Sequence, residues 1–322
     1  MNTYPNGFRV VGPTWQARRL VDAAAAFAAH AACDPRADLD KECYLSAFQF
    51  GDDFRRHLET TGSTAEFAGA SWSPWIWFDV DRAELSAALT DARRLAATLD
   101  ERFRLGDDEL VVFLSGGKGF HLGLPTSLWS PAPSDVFHRV ARRFAEQVAA
   151  VAGVAIDDGV YDKVRLFRAP NSRHPKTGLH KRRLSLDELL GLSLDGILGL
   201  AAEPKPFDIP VPTSTNDQAA ADWFDAERAV EKQTAATAER RAAGDGSPTL
   251  NRSTLDFIRD GADTGDRHRL LFSCAANLAE FGCPPALAHA LLTDAGLDSG
   301  LPPSEVRRQI DCGMAKGRAA TC

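Results

Sequence analysis

The six cysteines of this chain, Cys33, Cys43, Cys274, Cys283, Cys312 and Cys322, never fall in a CxxC pair. That scatter argues against a disulfide framework and against a self-evident zinc knuckle. An irregular zinc site built from Cys33 and Cys43 with His30 or His57 is the minor alternative. The segment opening at Met1 has no apolar core of signal-peptide length, so export is not expected and the cytoplasm is the expected compartment. No apolar run approaches a membrane span, so no membrane partner is expected. The chain also lacks a GxxxxGK[ST] phosphate loop and a GxGxxG dinucleotide fingerprint. It has no His-x-His pair of the kind a rolling-circle initiator places near its nucleophilic Tyr. No internal repeat is visible.

What is present is ordinary in amount and uneven in placement. With 322 residues, 44% of them hydrophobic and 25% charged, the chain is long enough for two domains with a substantial core. The net charge of −7 argues by itself against nucleic-acid binding. Its distribution says otherwise. From Asp162 to Arg183, Lys163, Arg165, Arg168, Arg173, Lys176, Lys181, Arg182 and Arg183 face one acid, a net of +7. Leu166, Phe167, Pro170 and Leu179 interrupt the run, which marks a folded basic segment and not a tail.

Three segments carry chemistry. Trp75-Ile-Trp-Phe-Asp-Val-Asp81 reads as a strand, and alternation puts Asp79 and Asp81 on one face with Phe78 and Val80 on the other. Two adjacent carboxylates repel unless a cation lies between them, and a divalent metal that handles phosphates is the usual one. Ser115-Gly-Gly-Lys-Gly-Phe-His121 follows a buried strand at 110–114 and opens another at 120–124. Its glycines let backbone N–H groups approach an anion, while Ser115, Lys118 and His121 add donors. Ile156-Asp157-Asp158-Gly159 supplies further acids, with Arg165 and Arg168 shortly after. Taken singly, these are a fraying strand end, a glycine hairpin and a common turn. Together they meet the needs of two-metal phosphoryl transfer: three carboxylates, and cations for a triphosphate.

Around these segments the sequence predicts a helix over 14–32, strand alternation in YLSAFQF, helices over 82–105 and 133–152, and a strand at 163–168. The mixture has no strict βαβ repeat, so the fold class is α+β. Residues 1–208 form the expected catalytic domain. A Pro-rich strap and a polar helix over 216–243 occupy 209–248, and 249–322 reads as a small all-α domain of three or four helices.

The series FDVD, SGGKGFH, and IDDGVYDKVRLFR followed by APNSRHPKTGLHK resembles motifs I, II and III of archaeo-eukaryotic primases and primase-polymerases, most of all the bacterial, plasmid and phage branch. The resemblance covers residues 40–185. It implies a small α/β module joined to an RRM-like metal-binding sheet, and a DNA primase/polymerase activity. Asp79, Asp81 and Asp157 would bind two Mg²⁺ or Mn²⁺ ions. Ser115, Lys118, Gly119, His121, Arg165 and Arg168 would hold an incoming NTP or dNTP. Arg173, Lys176, Lys181 and Arg182 would contact a single-stranded DNA template. RHRLLFSCAANLAEFGCPPALAHALL more loosely resembles the helical domain that follows such catalytic modules. With no helicase phosphate loop in the chain, priming would call for a separate replicative helicase. Asp158 competes with Asp157 for the third acid. Two other functions remain open at this point: a two-metal nuclease or phosphohydrolase, and a non-catalytic DNA-binding replication initiator.

Overall fold

A computed structural model describes residues 4–12, 18–106, 109–211, 215–243, 250–262 and 265–319. The chain divides into two compact units, Met1–Ala235 and Ala236–Cys322. The architecture is α+β, with antiparallel pairing in both sheets.

The strands of the first unit are β1 (Asn6–Val11), β2 (Arg19–Asp22), β3 (Cys43–Ser46), β4 (Gln49–Phe50) and β5 (Ser71–Trp72). They continue as β6 (Trp75–Asp81), β7 (Val111–Leu114), β8 (Gly119–Pro125), β9 (Leu166–Arg168) and β10 (Arg182–Leu184). One sheet runs β5-β4-β1-β3-β9, with β2 added to β1; the other runs β10-β7-β8-β6. Phe78 and Val80 on the back of β6 are fully buried, as are Leu95 and Leu99 of the helix Leu85–Phe103. The front of β6 carries Trp75, Trp77, Asp79 and Asp81 in succession, so one strand passes from aromatic packing to paired acids.

The helix expected over 14–32 is shorter than its alanine content suggested. Its described part begins as β2, because Leu20 and Val21 pair with Phe8 and Gly7 of β1. Asp22 then caps the helix Ala23–Ala31, its carboxylate accepting from Ala25 N at 2.8 Å. The helix expected from 133 starts at Phe137, since Ser134 is held in a β-bridge to Ser71.

The polar helix Asp217–Ala243 bears a narrow apolar stripe, Ala219, Trp223, Ala226 and Val230, that belongs to the main core. Trp223 meets Phe137, Trp129 and Phe144, and Arg102 forms a bidentate ion pair with Asp222. The first unit therefore extends to Ala235, well past the bound at 208 that the proline-rich composition indicated. A stripe of one residue per turn inside a charged helix is easily hidden in the sequence.

Among its described residues the second unit holds the end of the helix Asp217–Ala243 and the helices Arg252–Asp260, Arg267–Glu280, Pro285–Asp298 and Pro303–Ala319, the last four packed around Phe257, Leu271, Leu292, Val306 and Ile310. Gly313 and Gly317 let the last helix lie against the Phe272 and Ala276 carbonyls, where a Cβ would overlap them. Among the described residues no helix is long and apolar enough to cross a membrane.

Candidate active site

Pairing of β6 with β8 sets the site. The register places Asp79 opposite His121 and Asp81 opposite Gly119, so the first two sequence motifs meet side by side. The third joins through the backbone: Asp157 N donates to the Asp79 carbonyl at 2.8 Å. Asp157 then caps a short 3₁₀ turn, its Oδ1 accepting from Gly159 N at 2.8 Å. Its neighbour Asp158 pairs with Arg142 on the helix Phe137–Ala152, which draws it toward that helix. Asp157 is thus the acid that lies next to the pair.

Asp79 is under strong electrostatic stress. Its Oδ1 is buried and has no hydrogen-bond partner among the described residues. Burial, then the nearby Asp81 and Asp157, push its pKa up to about 7, against smaller opposing effects of Lys181 and Arg165. Lys118 Nζ lies 3.4 Å from Asp81 Oδ2. His121 Nε2 stands 3.5 Å from Asp79 Oδ1, and its ring stacks on Phe167 at 4.2 Å. Burial, with Lys181 and Arg168 nearby, holds the His121 pKa well below its ordinary value, so the ring is neutral and answers none of the acidic charge.

The cavity before Asp79 and Asp81 has a volume of about 210 Å³ and is also lined by Ser115, Gly117, Lys118, Arg165, Arg168, Tyr44 and His174, among others; Asp157 is not part of its lining. Tyr44 and Arg168 are directly opposed in the β3–β9 register. The Arg168 guanidinium stacks 4.9 Å from the Tyr44 ring, donates Nη2 to its hydroxyl at 2.9 Å, and approaches Glu42 at 3.5 Å. Its Nη1 is buried and has no acceptor among the described residues. Asp79 and Arg168 both line the pocket, and each has one buried atom without a partner among the described residues. Buried polar atoms are rarely left so, and a ligand with both a cation and anionic oxygens would satisfy both.

The donor set suits a hard divalent cation, being all carboxylate oxygen, and the orphaned Asp79 Oδ1 gives such an ion a reason to enter. Among the described residues no group of three or more His, Cys, Asp or Glu side chains is already gathered for a metal ion. Two of the three acids share a strand face, and the third is tied to them through the backbone.

Gly119 is needed by packing. A Cβ there would overlap Asp81 Oδ1 and the Val80 carbonyl. Gly119→Ala is expected to cost about 1–3 kcal/mol and to displace Asp81. Urea denaturation checks this, and a wild-type stability would contradict it.

Two residues assigned to nucleic acid from the sequence lie inside the protein. Lys181 is 1% exposed, caged by Trp77, Phe113 and Phe167, and donates Nζ to the Arg168 carbonyl at 2.8 Å. Arg182 is buried in β10 and donates to the Leu200 carbonyl. Neither is exposed to a template, because Lys181 is held to β9 and Arg182 to the end of the helix Leu194–Leu200. Arg173 and Lys176 stay exposed beside the pocket turn. The irregular zinc alternative does not assemble as drawn. The His30 ring sits between the Pro170 carbonyl at 3.0 Å and Cys43 Sγ at 3.4 Å, while His57 is engaged by the Ala65 carbonyl. Tyr44 and His174, by contrast, line the pocket although the sequence reading gave neither a role.

A larger cavity of about 450 Å³ lies near the start of β6, lined by Phe8, Phe27, Trp72, Trp75 and Ile209 among others. Among the described residues no ionisable side chain lines it, and its Ser73 and Thr126 hydroxyls are bonded to neighbouring carbonyls.

No family model matches the sequence, and no curated protein matches it. Among solved structures, a crystal structure of primase RepB′ matches at 15% identity over 99% of this chain and 93% of that one, with a TM-score of 0.38. At that score the likeness carries no weight for fold or chemistry.

Proposed function

We propose that the chain is a DNA-directed primase/polymerase, transferring nucleotidyl units from NTP or dNTP to a 3′-hydroxyl on a single-stranded template. The observation that carries this reading is that one pocket is lined both by Asp79, whose pKa is raised by burial and by Asp81 and Asp157, and by the cations Lys118, Arg165 and Arg168. A metal-bound triphosphate answers both, having a cation for the acids and anionic oxygens for the guanidinium. The motif resemblance across residues 40–185 supports the same chemistry.

Asp79, Asp81 and Asp157 would hold two Mg²⁺ or Mn²⁺ ions, which supply Lewis acidity for the attacking hydroxyl and for the departing pyrophosphate. The chain's own part is positioning and charge. Lys118 and Arg165 reach the phosphates from the exposed rim, and Arg168 does so from the wall. Neutral His121, stacked on Phe167, fixes the side of the pocket next to Asp79. Arg173 and Lys176 offer exposed cations to a template phosphate, so template binding is salt-sensitive and local. A separate helicase would open the duplex.

The test is primer synthesis and extension on single-stranded template with labelled NTPs and dNTPs, trying Mg²⁺ and Mn²⁺. Wild type yields product and an Asp79→Ala/Asp81→Ala double variant yields none. Product from the double variant, or none from wild type with either metal, overturns the proposal.

A further inference from the structure

Two turns meet at the far side of the pocket, and each leaves one hydrogen-bond donor over. His174 Nδ1 accepts from Lys176 N at 3.2 Å and from Thr177 N at 3.3 Å. A ring nitrogen that accepts carries no proton, so the neutral ring bears its hydrogen on Nε2. That edge of the ring lies along Gly117, where an added Cβ would stand 3.3 Å from Nε2. Ser115 mirrors it. Its Oγ accepts from Gly117 N at 3.2 Å and from Gly119 N at 3.3 Å, which uses its lone pairs and leaves the O–H to donate.

Both residues line the pocket, and neither donor has an acceptor among the described residues. The turns are locked together. Thr177 Oγ1 donates to the Gly116 carbonyl at 2.5 Å, and His174 N donates to the Leu179 carbonyl at 2.7 Å. Glu42, the acid on this side, is already engaged by Arg168 and Tyr44.

We infer that the His174 Nε2–H and Ser115 O–H, converging across Gly117, form a subsite for the terminal phosphates of the incoming nucleoside triphosphate, an assignment that rests on the nucleotidyl-transfer reading above. Direction follows from register. Gly119 faces Asp81 at the acidic end of β6, so Gly117 lies just past it at the hairpin tip. A triphosphate whose reacting phosphate meets the acids extends toward that tip. Donors without acceptors suit a group that is all acceptor, and the absent Cβ of Gly117 leaves room for it.

Two substitutions separate this role from simple support of the turn. His174→Asn keeps an acceptor where Nδ1 stands and removes the pocket donor. His174→Gln reaches the Nε2 position with an amide N–H and leaves the turn uncapped. The full-length chain is titrated, with Ca²⁺ present, with adenosine and 2′-deoxyadenosine tri-, di- and monophosphates, and separately with single-stranded DNA.

Wild type should prefer the triphosphate to the monophosphate. His174→Asn should lose about tenfold or more in triphosphate affinity and less than about twofold for the monophosphate, with His174→Gln retaining more of the preference. Wild-type behaviour of His174→Asn with impairment of His174→Gln would reduce His174 to a turn cap and overturn the subsite. Weakened DNA binding with unchanged nucleotide affinity would give these donors to a template phosphate, which also overturns it. Absence of nucleotide binding by wild type would instead strike the nucleotidyl-transfer reading, and the subsite with it.

Discussion

Asp79→Asn is expected to give a more stable protein that makes almost no product. The carboxylate sits buried, unpartnered, and beside Asp81 and Asp157, so its charge is a burden on the metal-free fold. An amide keeps the shape and removes the charge. Its folded pKa of about 7 lies above the ordinary value of 3.8, so the folded state holds a proton that the unfolded state releases. Wild-type stability therefore falls as pH rises from about 4 to about 7, and the Asn variant lacks that slope. Three pH units set a ceiling of roughly 4 kcal/mol on the difference.

The variant's advantage should be absent below pH 4 and complete above pH 7. Urea denaturation at pH 5 and pH 8 reads it, and a variant less stable than wild type at pH 8 would contradict the stress assigned to Asp79. Catalysis goes the other way, with extension falling by about a hundred- to a thousandfold or more. Mn²⁺ should raise the melting temperature of wild type at pH 8 and leave that of the variant nearly unchanged.

Lys181→Met separates stability from function in a second way. The lysine stem runs among Trp77, Phe113 and Phe167, with Nζ 4.1 Å from the Phe167 ring centroid and bonded to the Arg168 carbonyl. Burial drives its pKa well below the usual lysine value, while Asp79 pulls it back up. Methionine fills the same channel and packs favourably against rings. Stability should stay within about 1 kcal/mol of wild type or rise.

Activity should fall about ten- to hundredfold, because the Arg168 backbone loses its anchor. Thermal melts and extension rates together decide it. Full activity in a folded variant would show that Lys181 only fills space.

Much of the site was legible because strand alternation is a strict rule. It placed Asp79 and Asp81 on one face, and the glycine-rich turn marked the hairpin to which they pair. The apolar-then-acid pattern favoured Asp157, and in the structure Asp157 N bonds the Asp79 carbonyl while Asp158 pairs with Arg142. Charge runs were less readable. A stretch of lysines and arginines looks solvated, yet β10 turns Arg182 and Arg183 inward beside the buried Lys181.

Tyr44 could not be found from the sequence, since it lies far from Arg168 along the chain and meets it only through the β3–β9 register. His174 was visible as one more residue of a basic segment. Only the hydrogen bonds of its turn fix which ring edge faces the pocket. The alanine-rich segment from 14 to 32 misled for another reason, because tertiary pairing of Leu20 and Val21 with β1 overrode helix propensity.

The central claim is that the acids and the phosphate-binding groups of one pocket perform transfer and not hydrolysis. Its most direct test follows primer length and pyrophosphate release together, on a primed single-stranded template with Mn²⁺ and each nucleotide supplied alone. The account predicts that the primer lengthens only with the nucleotide complementary to the template, one pyrophosphate appearing for each unit added. Primers that shorten, or phosphate released without growth, would make the site a nuclease or phosphohydrolase and contradict it.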